Sequence, residues 1–243
     1  HESDMDPGLA TRINSRFAAR IFVAHEQTAR FFSPTSREKV LVTGNPVRTD
    51  VVAGNADSGR MALSITGDKP ILLVLGGSQG ARAVNILVWQ ALAALRKEWH
   101  VVHQTGPDES GEPSGEGYDR FEYIREDYPG ILAASDLLLC RAGATTLWEI
   151  AAAGKPSILC PLGADASRGD QIRNAELFKS IGASYILRTG ADVNELLATT
   201  GRFRDDPGLI ATMAKKAASV YRPGAADAIA DEILKLAFGE KVR

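Results

Sequence analysis

The chain has 243 residues, 44% of them hydrophobic and 24% charged, with a formal net charge of −2. That length holds one large domain, or one domain and part of another, and the near-neutral charge excludes a molecule drawn as a whole to nucleic acid or an anionic surface. Two cysteines, each ending an apolar run, exclude a disulfide framework, and no apolar run approaches the roughly 18 residues of a membrane span.

In chain order, Asp6 and Pro7 form a cap and first-turn pair ahead of Leu9, Ile13 and Phe17 at helical spacing. Short β-rich runs follow at 20–24 and 39–42, and Thr43 to Arg48 looks like a linker. Strand patterns then recur at 70–75, 100–104, 121–125, 136–140, 156–160 and 184–187. Helical patterns fall at 81–95, 128–135, 145–154 and 170–181. Two helices, about 205–219 and 225–238, close the chain around Pro223-Gly224. The stretch from Gly106 to Gly117 is a surface loop by composition. Such alternation predicts an α/β fold with a parallel sheet covered on both faces, and ligands beyond the carboxyl ends of its strands. The sequence opens on His1, and residues 7–24 already read as helix into strand, so a cut through a longer protein is expected. Cys140 and Cys160 read as small core residues in a reducing cytoplasm, and no secretory signal is recognised.

Two strand–glycine–helix junctions carry chemistry. After Leu137–Cys140 the chain reads RAGATTLWE, from Arg141 to Glu149. A helix start there exposes unpaired N–H groups and the positive dipole end, a natural phosphate site. Thr145 and Thr146 add hydroxyl donors. Glu149, one turn on, can accept from a sugar diol, which together suggests a nucleotide or nucleotide-sugar. The plain alternative is a capped helix with a solvated Glu.

The second junction is Gly76-Gly77-Ser78-Gln79-Gly80 after the strand at 70–75. It lacks the Lys of a Walker loop and the spacing of the dinucleotide fingerprint. It does fit the G-x-S-x-G elbow of hydrolases. However, the only later histidines are His100 and His103, with Glu98 the only acid between, and a triad from those neighbours is disfavoured. Asp4-Met5-Asp6 matches a metal-binding D-x-D, but Asp6 reads better as a helix cap. His25, His100 and His103 read as core or surface histidines without an acid–base partner.

Five motifs then stand in order: HESDMDPGLATRI, TGNPVR, GGSQGARAVN, RAGATTLWEIAAAGKP and SRGDQIRNAE. Together they resemble the MurG family of bacterial N-acetylglucosaminyltransferases over nearly the whole chain. The resemblance implies the two-domain GT-B fold, a Rossmann-like doubly wound parallel sheet. Residues 1–46 would be the tail of an acceptor-binding amino-terminal domain. Residues 47–243 would bind the donor, with the last helix packing back on the first domain.

The implied reaction moves N-acetylglucosamine from its uridine diphosphate carrier (UDP-GlcNAc) to a lipid-linked muramyl-pentapeptide, with inversion, at the inner face of the cell membrane. No metal cofactor and no nucleic acid are implied. Carried onto this chain, Ser78 and Gln79 would meet the diphosphate with Arg48, and Ala144, Thr145 and Thr146 would hold a phosphate at the helix start. Glu149 would hold the ribose hydroxyls, Ile124 would lie against uracil, and Gln171 with Asp170 would face the sugar. Many members have paired Gln where this chain has Asp170-Gln171, and Asn where it has Asp4, a position of sugar contact. Asn174 is expected to pin a loop, and Arg168 and Arg173 to be solvated. The family's Gly-rich loop ending in His, the place of the catalytic base, has no counterpart here, so no catalytic residue is expected in this chain. Two alternatives stay open: a non-catalytic donor-binding subunit of a split transferase, and a related GT-B glycolipid transferase.

Overall fold

The computed structural model describes residues 1–77, 81–107, 115–163, 169–188 and 190–239. The amino-terminal part holds α1 (Leu9–Asn14), β1 (Ile21–Val23), a 3-10 turn (Glu26–Phe31), α2 (Pro34–Arg37) and β2 (Val40–Val42). Strands β1 and β2 pair in parallel as a sheet of two. The helix expected to start at Asp6 is shorter than that. Gly8 is its N-cap, and the Asp6 carboxylate bridges Arg12 and Arg173 instead, because two guanidiniums outbid a single backbone amide. Leu9, Ile13 and Phe17 are all exposed.

Next come α3 (Thr49–Val52), α4 (Ala56–Ala62), β3 (Ile71–Leu75), α5 (Arg82–Glu98), β4 (His100–Gln104), β5 (Tyr118–Phe121), α6 (Tyr128–Ala134), β6 (Leu137–Cys140) and α7 (Ala144–Ala153). The chain continues through β7 (Ser157–Leu159), α8 (Asp170–Ile181), β8 (Ser184–Ile186), α9 (Val193–Asp205), α10 (Pro207–Ala218) and α11 (Ala225–Phe238). The six strands β3–β8 form one wholly parallel sheet of order β5-β4-β3-β6-β7-β8. The chain thus starts in the middle, builds outward through β4 and β5, and returns to lay β6 against β3. Parallel strands need helical crossovers, which cover both faces, so central strands are apolar throughout. Every residue of β3 and β6 is buried.

Alternation along these strands divides the core. Ile71, Leu73 and Leu75 join Leu138 and Cys140 on the face covered by α6, α7 and α8. Leu72, Val74, Leu137 and Leu139 face α5 and α9 with Val88, Leu92, Leu196 and Phe203. Each fully buried Leu contributes roughly 1.5–3 kcal/mol. Cys140 and Cys160 are free, buried and on opposite faces, where no bridge can join them.

Helices α4 and α6 meet backbone to backbone. A Cβ on Gly59 would lie 2.1 Å from the Gly130 carbonyl oxygen, and one on Gly54 would lie 2.4 Å from that of Pro129. Only glycine permits that approach.

Four sequence expectations need correction. The edge strand predicted at 121–125 lies at Tyr118–Phe121, because its register follows Val101↔Tyr118 pairing and only Tyr118 among its residues is buried. A separate helix, α9, occupies Val193–Asp205, so the helix expected from about 205 begins at Pro207. Helices α3 and α4 arise in a stretch with no predicted element. Finally, His100 does have an acidic partner, its Nε2 lying 2.6 Å from Asp119 Oδ2.

Candidate functional site

Leu75 and Cys140 are register partners at the carboxyl ends of β3 and β6. The chain reverses its direction of growth between these two strands, and loops leaving them diverge to opposite faces, opening a crevice. A cleft of about 700 Å³ lies at this place, and Arg48, Ile124, Thr145, Thr146 and Glu149 all line it. Five residues expected to share a ligand are therefore brought together from positions a hundred apart in sequence.

Helix α7 presents its amino terminus here. Its N-cap is Gly143, and no side chain caps it, so the first-turn amides keep their donors for a ligand. Thr145 is exposed and Thr146 half-buried at that end. Glu149 follows Thr146 by three positions, which puts both on one helical face. The plain alternative of a Thr-capped helix is set aside by that uncapped start.

Glu149 is half-buried, and its Oε2 accepts from the Tyr128 hydroxyl at 2.7 Å. Burial holds its carboxyl above the usual carboxylate range, and Asp50 pushes the same way. The Tyr128 hydrogen bond and the Arg48 charge only partly offset this. Tyr128 is itself pushed upward, first by burial and then by the Glu149 charge. Arg48 lies with its guanidinium carbon 5.9 Å from the Tyr128 ring centroid and its Nε 3.3 Å from Asp50 Oδ1.

On the far wall, the Ile124 amide donates to Gln104 Oε1 at 3.0 Å, and Gln104 Nε2 reaches the Gly77 carbonyl at 3.4 Å. The Ile124 side chain is buried in the core, so what it offers the cleft is a fixed main chain. Tyr123 beside it is half-exposed, with Arg125 over its ring at 5.7 Å.

Among the described residues, the other expected ones (Asp4, Ala144, Asp170 and Gln171) do not line this cleft. Ser78 and Gln79 lie outside the described residues, as does Arg168. Ala144 opens α7 but borders a small cavity of about 10 Å³ that it shares with Asp4. The Asp4 carboxylate accepts from Asn174 Nδ2 at 2.8 Å. Gln171 Oε1 accepts from the Leu162 amide at 3.1 Å, tying the loop after β7 to α8. Asp170 lines a separate groove with Asp6, Arg12 and Arg173. Arg173 pairs with Asp6 rather than standing solvated. Asn174 does pin a loop, receiving the Met5 amide at 2.8 Å and donating to the Ala142 carbonyl at 3.2 Å.

Sequence reasoning missed Asp50, Gln104 and Tyr128. Tyr128 had a usable signal: Pro129 marks a helix start, and helix starts after parallel strands face the ligand edge. Among the described residues no cluster of metal-ligating side chains occurs, and no helix is long and apolar enough to cross a membrane.

A parallel sheet doubly wound around one switch point, with an open helix start and a half-buried carboxylate in its cleft, defines the C-terminal domain of a GT-B glycosyltransferase. Residues 71–229 match the model of the glycosyltransferase family 28 C-terminal domain, and the chain belongs to that family. It is 45% identical over 206 residues to the UDP-N-acetylglucosamine–N-acetylmuramyl-(pentapeptide) pyrophosphoryl-undecaprenol N-acetylglucosamine transferase of Treponema denticola, covering 79% of this chain and 52% of the relative. A Bacillus cereus protein of the same name, numbered 2, is 40% identical over 220 residues, covering 89% of this chain and 61% of its own length. The crystal structure of Acinetobacter baumannii MurG superposes with a TM-score of 0.73 at 27% identity, covering 97% of this chain and 65% of that one. The chain thus spans a little over half the length of these curated relatives.

Proposed function

We propose that this chain is the donor-binding half of an enzyme that transfers N-acetylglucosamine from UDP-GlcNAc to the 4-hydroxyl of a lipid-linked muramyl-pentapeptide, with inversion, in peptidoglycan synthesis. The observation that carries it is the meeting of an uncapped helix start, Arg48 and Glu149 in one nucleotide-sized cleft. As the glycosidic bond breaks, negative charge grows on the leaving uridine diphosphate. The α7 amides, Thr145, Thr146 and Arg48 stabilise that charge while Glu149 holds the ribose. The main chain at Ile124 offers hydrogen-bonding groups for uracil.

No metal enters this scheme, and the carboxylates of the Asp4-Met5-Asp6 run are engaged by Asn174, Arg12 and Arg173. The base that deprotonates the acceptor hydroxyl comes from the part of the relatives' length that this chain does not span. The setting is the cytoplasmic face of the membrane, with the enzyme attached peripherally, since the acceptor's lipid stays in the bilayer.

Calorimetry with uridine diphosphate and UDP-GlcNAc tests the binding half. Both are expected to bind, and Glu149→Ala to weaken uridine nucleotides by one to two decades, the equivalent of roughly 1.5–3 kcal/mol for a hydrogen bond to a charged group. Absence of binding to the intact chain at millimolar ligand would reject the reading, and unchanged affinity in Glu149→Ala would reject the ribose assignment.

A further inference from the structure

Glu149 is a flexible side chain on a half-buried site, and a free carboxylate there would sample several rotamers. One group stops it. The Tyr128 hydroxyl donates to Oε2 at 2.7 Å and leaves Oε1 to accept from a ligand. The same ring carries Arg48 on its face, with the guanidinium carbon 5.9 Å from the centroid.

Tyr128 itself stands on a rigid base. It opens α6, and Pro129 fixes the backbone beside it. The next two residues are clamped from outside: Gly54 closes on the Pro129 carbonyl and Gly59 on the Gly130 backbone, neither leaving room for a Cβ. Bound from three directions, the phenol can shift little without unpacking α3 and α4 from α6.

We propose that Tyr128 is a positioning residue: its hydroxyl orients Glu149 for the ribose diol, and its ring sets where Arg48 stands relative to that diol. The proposal rests on the reading of the cleft as a uridine diphosphate site. It assigns the discrimination of ribose from deoxyribose to a pair, Tyr128 and Glu149, and not to the acid alone. The ring and the hydroxyl have separable consequences. Removing the hydroxyl frees Glu149 and spares Arg48; removing the ring releases both.

The experiment is titration calorimetry on the full chain with uridine diphosphate, 2′,3′-dideoxyuridine diphosphate and uridine monophosphate. The unaltered chain is expected to prefer uridine diphosphate over its dideoxy form by about tenfold or more, the order of a charged hydrogen bond. Tyr128→Phe is expected to erase most of that preference while leaving the diphosphate-over-monophosphate ratio unchanged. Tyr128→Leu is expected to lower both ratios. In a Glu149→Ala background, Tyr128→Phe is expected to change nothing further, since the hydroxyl acts only through the acid.

If Tyr128→Phe keeps the full ribose preference, or lowers affinity equally with and without Glu149, the positioning role is overturned while the uridine diphosphate reading stands. If the unaltered chain binds none of the three nucleotides, the reading of the cleft fails and the proposal falls with it. If it binds the ribo and dideoxy forms alike, Glu149 is no ribose acceptor, and the proposal is overturned on that ground.

Discussion

Asn174 Nδ2 donates to Asp4 Oδ1 at 2.8 Å, joining residues 170 positions apart in the chain. The same amide takes the Met5 N–H on its oxygen and gives its second proton to the Ala142 carbonyl. All of its polar capacity on this side is spent on main chain and one carboxylate. It thereby ties the amino-terminal segment to the loop that launches α7.

Asn174→Ala is expected to cost about 1–3 kcal/mol, because the buried Met5 amide loses its acceptor. Urea denaturation measures the loss, and faster amide exchange at Met5 locates it. Unchanged exchange there would show that other contacts hold the segment.

His103 sits with no exposed surface, its Nε2 3.1 Å from Asn85 Oδ1 and its Nδ1 3.1 Å from the Tyr118 hydroxyl. Asn85 Nδ2 donates to Thr105 O, which leaves Oδ1 as the acceptor and fixes the proton on Nε2. Burial, with Arg120 acting the same way, lowers the ring to about 3 from its ordinary 6.5. The folded state therefore refuses a proton that the unfolded chain takes. The stability this gives is whole above pH 6.5 and is lost as pH falls from 6.5 toward 3. The expected slope approaches about 1.4 kcal/mol per pH unit for one proton. His103→Gln should flatten that segment of the stability curve, and equal slopes in the two proteins would rule out the ring as its source.

Gly59→Ala sets two effects against each other. Alanine favours the helix by about 1 kcal/mol over glycine, but its Cβ would stand 2.1 Å from the Gly130 carbonyl oxygen, inside any real contact. Overpacking of this kind costs about 1–3 kcal/mol, and the backbone on the far side cannot step aside as a side chain would. The clash is expected to win. A denaturation midpoint at or above that of the unaltered chain would show that α4 lifts off α6 without penalty.

In the ribose role proposed for Glu149 the acceptor form is the carboxylate, and burial holds its pKa above the ordinary range. Tyr128, Arg48 and Asp50 are the charged and titratable groups around it. Affinity for uridine diphosphate is therefore expected to fall with decreasing pH before ordinary carboxylates titrate, and Glu149→Gln should flatten that profile. The raised pKa also means that the charged form costs stability in the folded state. That cost is full above the folded pKa and disappears as pH falls through it, so Glu149→Gln is expected to gain stability at neutral pH. Thermal melts at two pH values check the sign.

Local pattern was sufficient where an element's own residues decide its fate. Helices α8 and α11 and strand β4 lie at their expected bounds, since apolar spacing and terminal glycines mark them. Helix α9 was illegible because Thr199, Thr200 and Gly201 weaken its local preference; burial of Leu196 and Phe203 against the sheet decides it. In the cleft, the shared placement of Thr146 and Glu149 could be read from three residues of spacing on one helix. For Tyr128 only its place at a helix start was legible, from Pro129, since its partner Glu149 is 21 positions away. Gln104 was not legible at all, its partners lying 20 and 27 positions away.

The seam between β3 and β6 has a consequence for assembly. The two strands that frame the cleft end 65 positions apart, and β4, α5, β5 and α6 must all be threaded between them. Contacts of such separation form late, after the loop-closure entropy has been met. A chain emerging from the ribosome would have no such cleft until α7 had been made and its strand docked. On the proposed reading of the cleft, nucleotide binding reports the docking of β6 and α7 against β3, and a ligand present during refolding can select that arrangement but cannot nucleate it.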